Sequence, residues 1–139
     1  MPRKLAQQLE TATDPAAKAS LLFDAGTQAL AALRYGSAEN YFRRALRVQP
    51  DSAPLVTRVV VALARRPRGL EALLWRQLAE APLQGPRRDA SLTALASLVQ
   101  LYDRTPKQRA KASALRHVLR ELDPAFAPEE PASSHDVSA

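Results

Sequence analysis

Prolines at positions 15, 50, 67, 82, 106 and 124 punctuate this chain, and between them apolar residues recur every three or four positions. Proline lacks the amide that continues a helical hydrogen-bond ladder and holds φ near about −65°, so it is tolerated in a first turn and interrupts a helix elsewhere. A chain divided in this way is expected to fold as a series of helices of similar length.

Asp14-Pro15 reads as an N-cap followed by the first helical position. The helix it opens is expected to run to about Leu33, with Leu22, Ala25, Ala29 and Leu33 on one stripe. Gly36-Ser37 breaks it, and a second helix to about Val48 turns Ala38, Tyr41, Phe42, Ala45 and Leu46 inward. Gln49-Pro50-Asp51-Ser52 ends that helix and caps the next, "APLVTRVVVALARR", whose three successive valines also suit a strand but whose length and flanking helices favour helix. A fourth helix lies between Pro67 and Pro82, with Leu70, Leu73, Leu74 and Leu78 at helical spacing. A fifth spans about Arg87 to Tyr102 on a stripe of Leu92, Leu95, Val99 and Tyr102. The sixth follows the cap pair Thr105-Pro106 and buries Leu115, Val118, Leu119 and Leu122 before Asp123-Pro124.

These helices make an all-α domain over residues 14–124, preceded by a leading segment, 1–13, with a short helix at 3–11. Residues 125–139, "AFAPEEPASSHDVSA", read as a disordered acidic tail. At 139 residues the chain has the size of one domain with a modest core. Aromatics are only 5% of it while alanine occurs 27 times, so that core is built from leucine and small side chains, which suits closely packed helices. No apolar run approaches the roughly 20 residues of a membrane span, and "MPRKLAQQLETATD" lacks the apolar stretch of a signal peptide, so a cytoplasmic location is expected. Without cysteine there are no disulfides, thiolate metal sites or cysteine nucleophiles.

Connections of about two to six residues imply antiparallel neighbours, in a bundle or a solenoid. Gly26, Ala38, Phe42, Ala45 and Pro50 bear on that choice, because their spacing resembles the 34-residue tetratricopeptide repeat (TPR). Ala17 to Pro50 looks like one such repeat, with Leu22, Ala25 and Ala29 where the family usually has Trp, Leu and Tyr. Gly26 and Ala38 permit two helices to approach closely, Phe42 fills the space beside them, and Pro50 ends the pair. Moving 34 residues on lands on Ala72 and Ala79, with Trp75 near the aromatic position. Val59-Val60 replaces Leu-Gly in the second unit and implies wider packing there. Leu119, Leu122, Asp123 and Pro124 resemble the closing phrase of a third unit.

The resemblance implies a short right-handed solenoid of antiparallel helix pairs, six main helices plus the leading one, and a non-catalytic role as a protein-binding adaptor. Its concave face would be lined by Phe23, Thr27, Leu30 and Arg34, then Thr57 and Val61, then Ser97 and Leu101. That surface is more apolar than charged and lacks the Lys and Asn with which some family members clamp a chaperone's C-terminal carboxylate, so an amphipathic helix or extended apolar segment is the expected guest. The competing expectation is that Phe23 and Leu30 pack against the leading helix.

Residues 1–124 hold 20 basic against 11 acidic side chains, a net charge of +9. A charged, solvated helix surface accounts for this, and so does a nucleic-acid-binding stripe made of Arg43, Arg44 and Arg47, of Arg65, Arg66 and Arg68, and of Arg87 and Arg88. A third expectation is a structural subunit whose apolar faces are covered in a larger assembly, and the sequence does not set the oligomeric state. No catalytic constellation is expected: His117 sits among Arg116, Val118 and Arg120, and the adjacent Ser134, His135 and Asp136 of the tail cannot hold triad geometry. HExxH and the phosphate-cradling glycine motifs are missing, so neither a metal nor a cofactor is expected.

Overall fold

The computed structural model describes residues 3–80, 85 and 88–128. Among them are seven α-helices and no strand: α1 Arg3–Thr11, α2 Pro15–Ala31, α3 Tyr35–Val48, α4 Ala53–Ala62, α5 Pro67–Glu80, α6 Arg88–Asp103 and α7 Arg109–Leu122. The valine-rich segment is therefore helical. Local chemistry accounts for several boundaries. The Asp14 carboxylate accepts from the Ala16 amide at 3.2 Å with Pro15 behind it, and the Ser52 hydroxyl accepts from the Leu55 amide at 3.2 Å.

Two boundaries differ from the sequence expectation. Gly36 does not make the turn after α2, since α3 already begins at Tyr35. Leu33 makes it instead, at φ 60°, while the Leu33 amide bonds Leu30 O and the Arg34 amide bonds Ala29 O, the paired closure of a Schellman end. Thr105 makes no side-chain cap bond; Pro106–Gln108 is a short 3-10 turn, and α7 starts only at Arg109.

Helices α2 and α3 run back along each other as the closest pair in the molecule, and Phe23 and Phe42 meet there with ring centroids 5.3 Å apart. The next two helices behave otherwise. Helix α4 has little direct packing on α5, whereas α6 packs against α4, α5 and α7. On α4, Val59 is buried and Val60 is half-buried against the core.

The second unit also departs from the 34-residue register. Ala72, Trp75 and Ala79 face solvent, and α5 buries Leu70, Leu74 and Gln77 instead. These stand 32 residues after the buried Ala38, Phe42 and Ala45, and the row recurs 42 residues later as Ala112, Arg116 and Leu119. Each second helix thus buries positions i, i+4 and i+7, the inward stripe of a helix on a core. Gln77 is accommodated because its amide donates to Pro50 O at 3.0 Å, and Arg116 because it pairs with Asp103 and donates to Pro128 O at 3.1 Å.

Beyond α7 the chain stays on the body for several residues. Asp123 caps a 3-10 turn, Pro124–Phe126, and Phe126 and Ala127 pack on the cluster of Leu92, Leu95 and Leu119. Residues 129–139, the greater part of the expected tail, lie outside the described residues. No helix among the described residues is long and apolar enough to cross a membrane.

Candidate functional site

The eight residues expected to line a groove divide into three groups. Phe23 and Leu101 are core residues, each only 8% exposed, and neither is available to a partner. Phe23 is covered from outside by Arg58 of α4, whose guanidinium carbon lies 4.1 Å from the ring centroid. Leu101 is enclosed because α6 is packed by α4, α5 and α7.

Thr27, Leu30 and Ser97 are half-buried. Thr27 donates its hydroxyl to Asp24 O at 2.8 Å, Ser97 donates to Thr93 O at 2.8 Å, and Leu30 packs on the core. Arg34, Thr57 and Val61 are exposed; the Thr57 hydroxyl bonds Ala53 O at 3.2 Å, leaving its methyl beside Val61, which is 72% exposed. What remains of the expected groove is an outward strip on α4, joined to α2 by Arg58 and flanked by α6. The sequence reading missed Arg58, since only the fold brings that cation of α4 over Phe23 of α2.

The leading helix packs on α2, where the cleft beside it is lined by Leu21, Ala25 and Ala29 and not by Phe23 or Leu30. Leu5 is buried, Leu9 joins the core, and this cleft of about 730 Å³ separates α1 from the α2–α3 pair. Its floor is Leu5, Ala25 and Ala29, and Lys4, Asp24 and Arg34 stand among its polar residues.

The arginines do not form the expected single stripe. Arg66 stacks on Tyr35 at 4.2 Å, at the start of α3. Arg43 and Arg47 lie two to three turns further along, about 12–18 Å at the helical rise, where they meet Arg76 of α5 around Leu46, Leu73 and Gln77. Arg43 donates to the Asn40 side chain, and Arg44 lies 6.0 Å from the Tyr41 ring. Arg65 and Arg68 are exposed, and Arg87 lies outside the described residues. Arg88 serves the fold: it donates to Leu122 O at 3.0 Å, closing the end of α7, and lies 3.8 Å from the Asp123 carboxylate.

One polar network was not foreseen. The hydroxyl of Tyr102, a residue 4% exposed, donates to the Glu71 carboxylate and accepts from the Trp75 indole N–H at 2.9 Å. Burial, and then the hydrogen bond to Glu71, push the phenol pKa up; the Trp75 donor opposes them. Such a group is poorly suited to give up its proton as an acid.

Among the described residues no three His, Cys, Asp or Glu side chains gather where a metal would be held, and His117 is exposed. Ser134, His135 and Asp136 lie outside the described residues. Comparison with protein-family models, with curated proteins and with solved structures finds no match.

Proposed function

We propose that this chain is a non-catalytic, TPR-like protein-interaction module that acts in the cytoplasm as an adaptor or as a subunit of a larger assembly. The partner segment lies across the face made by α2, α4 and α6. Thr57 and Val61 supply the central apolar contact, Arg34 is an exposed cation at the turn after α2, and Thr27, Leu30 and Ser97 form the half-buried flank. Phe23 and Leu101 act beneath this face as its support.

The observation that carries the reading is the contact of Arg58 with Phe23, together with the packing of α4 on α6. Helix α4 packs on α6, and Arg58 reaches from α4 to α2, which supports a surface running across the three helices of the kind a helical-repeat module needs. An amphipathic helix or an extended apolar segment suits a strip whose exposed centre is a valine and a threonine methyl. Affinity purification from native extract with the wild type and Val61→Asp tests the reading. Proteins retained by the wild type and lost by the variant support it; identical sets from both contradict it.

A further inference from the structure

The chain passes from α2 to α3, from α4 to α5 and from α6 to α7 through residues 32–34, 63–66 and 104–108. These three connections carry Arg34, Arg65, Arg66, Arg104 and Lys107, all exposed, and no acid. The connections 12–14 and 49–52, at the opposite ends of α2 and α3, carry Asp14 and Asp51 and no cation. Charge is therefore separated along the helix axes, with one end of the molecule basic and these turns of the other end acidic.

Long-range contacts hold the three connections side by side. The Arg66 guanidinium stacks on Tyr35, so the α4–α5 turn meets the start of α3. A side chain on Gly69 would overlap the Glu39 carboxylate, which brings the first turn of α5 to α3 as well. Glu71 accepts from the Tyr102 hydroxyl, which sets the α6–α7 turn, two residues on, beside α5. Stacked by its flat face, the Arg66 guanidinium keeps its N–H donors at the rim, and Arg68 is exposed two residues further on. The acids of this end are turned inward: Glu71 holds Tyr102, Asp103 pairs with Arg116, and Glu39 is half-buried against Gly69.

At the tip of the first connection stands Leu33, 70% exposed and at φ 60°, a conformation that strains a non-glycine residue. No packing within the fold compensates that strain, which is the pattern of a residue kept for an outside contact. A bare leucine among arginines does not suit a polynucleotide, and the Tyr35 ring, the aromatic beside these turns, is already stacked by Arg66. It suits a bilayer surface, where lipid phosphates lie above acyl chains. We propose that this end of the protein docks on an anionic phospholipid bilayer, with Leu33 entering the boundary between headgroups and acyl chains and Arg34, Arg65, Arg66 and Arg68 holding lipid phosphates. Arg34 alone is shared with the partner face on α2, α4 and α6, so the two readings fail separately.

The full chain is sedimented with sucrose-loaded vesicles of phosphatidylcholine alone or with about 30% phosphatidylserine, at about 50 and 200 mM salt. Binding to the anionic vesicles is expected, with little to the neutral ones and a marked loss at the higher salt. Arg65→Ala and Arg68→Ala should each weaken partitioning about fivefold, and Leu33→Gly about tenfold. Leu33→Gly is decisive because it relieves the left-handed strain: it should be at least as stable toward urea as the wild type, so its loss of binding is not a loss of fold. Leu33→Phe, which keeps an apolar side chain, should retain most of the binding. Far-UV circular dichroism checks that the arginine variants are folded. Equal binding to both kinds of vesicle, no binding at the lower salt, or wild-type binding by Leu33→Gly or by the variant with both arginines replaced overturns the proposal. So does tighter binding of oligo(dT) than of vesicles at equal phosphate, lost in the same arginine variants, which would mark a surface for nucleic acid.

Discussion

The ring of Phe42 occupies the space in which a side chain on residue 26 would stand: a Cβ placed on Gly26 falls 2.5 Å from the nearest ring carbon and 2.9 Å or less from two others. Phe42 is fully buried, so the ring has nowhere to retreat. Gly26→Ala should therefore destabilise the protein by about 1–2 kcal/mol, the overpacking cost outweighing the gain in helix propensity. Gly36→Ala meets nothing within 4 Å and should be neutral to stabilising by about 0.5 kcal/mol. Urea denaturation of both variants, and of Gly26→Ala with Phe42→Leu, checks the account; the double variant should lose less than the sum of its parts.

Leu33 is a second backbone test. Its φ of 60° is the left-handed conformation that costs a non-glycine residue about 1–2 kcal/mol, and its side chain is 70% exposed, so little packing compensates. Leu33→Gly should raise stability by about 1 kcal/mol in the same denaturation experiment.

The carboxylate of Asp103 faces the guanidinium of Arg116, a residue only 4% exposed. Asp103→Ala removes the carboxylate paired with this buried cation and should cost about 3 kcal/mol. Arg116→Met, which removes the charge as well, should cost less than Asp103→Ala; equal losses would show that packing rather than charge dominates.

Tyr102 gives a pH dependence. Because burial and the Glu71 bond raise its pKa above the ordinary 10.0, the folded state holds the phenol proton more tightly than the unfolded chain does. That stabilisation is complete below about pH 10 and is lost as the pH rises through the elevated folded value. Stability of the wild type measured from pH 8 to 11 should fall above pH 10, and Tyr102→Phe should show a shallower fall from a lower starting point, the Trp75 and Glu71 groups having lost their shared partner.

Much of this fold was legible because helix ends are written in local chemistry. Asp14-Pro15, Ser52 and Asp123 act as expected, and apart from the turn between α2 and α3 the helices follow the proline punctuation. The Gly26–Phe42 approach could likewise be read from spacing. What failed was whatever depends on how helices turn toward each other. Trp75, Ala72 and Ala79 face outward because α5 is rotated by a two-residue change of register, which no periodic pattern rich in leucine and alanine fixes. Phe23 left the surface when Arg58 closed over it, and Arg88 left the basic stripe when Leu122 O engaged it. Long-range partners of this kind have no sequence signature. The turn at Leu33 was missed for another reason: Gly36, three residues on, is the residue that backbone chemistry favours.

The most direct test of the proposed interaction role is site-specific photocrosslinking in cells, with a photoreactive amino acid placed at Val61 or at Val118. Both side chains are exposed, 72% and 46%, but they lie on different helices, α4 and α7. A discrete protein adduct from position 61 and none from position 118 is the predicted result. The same adducts from both positions, or adducts from 118 alone, would contradict a binding face on α4.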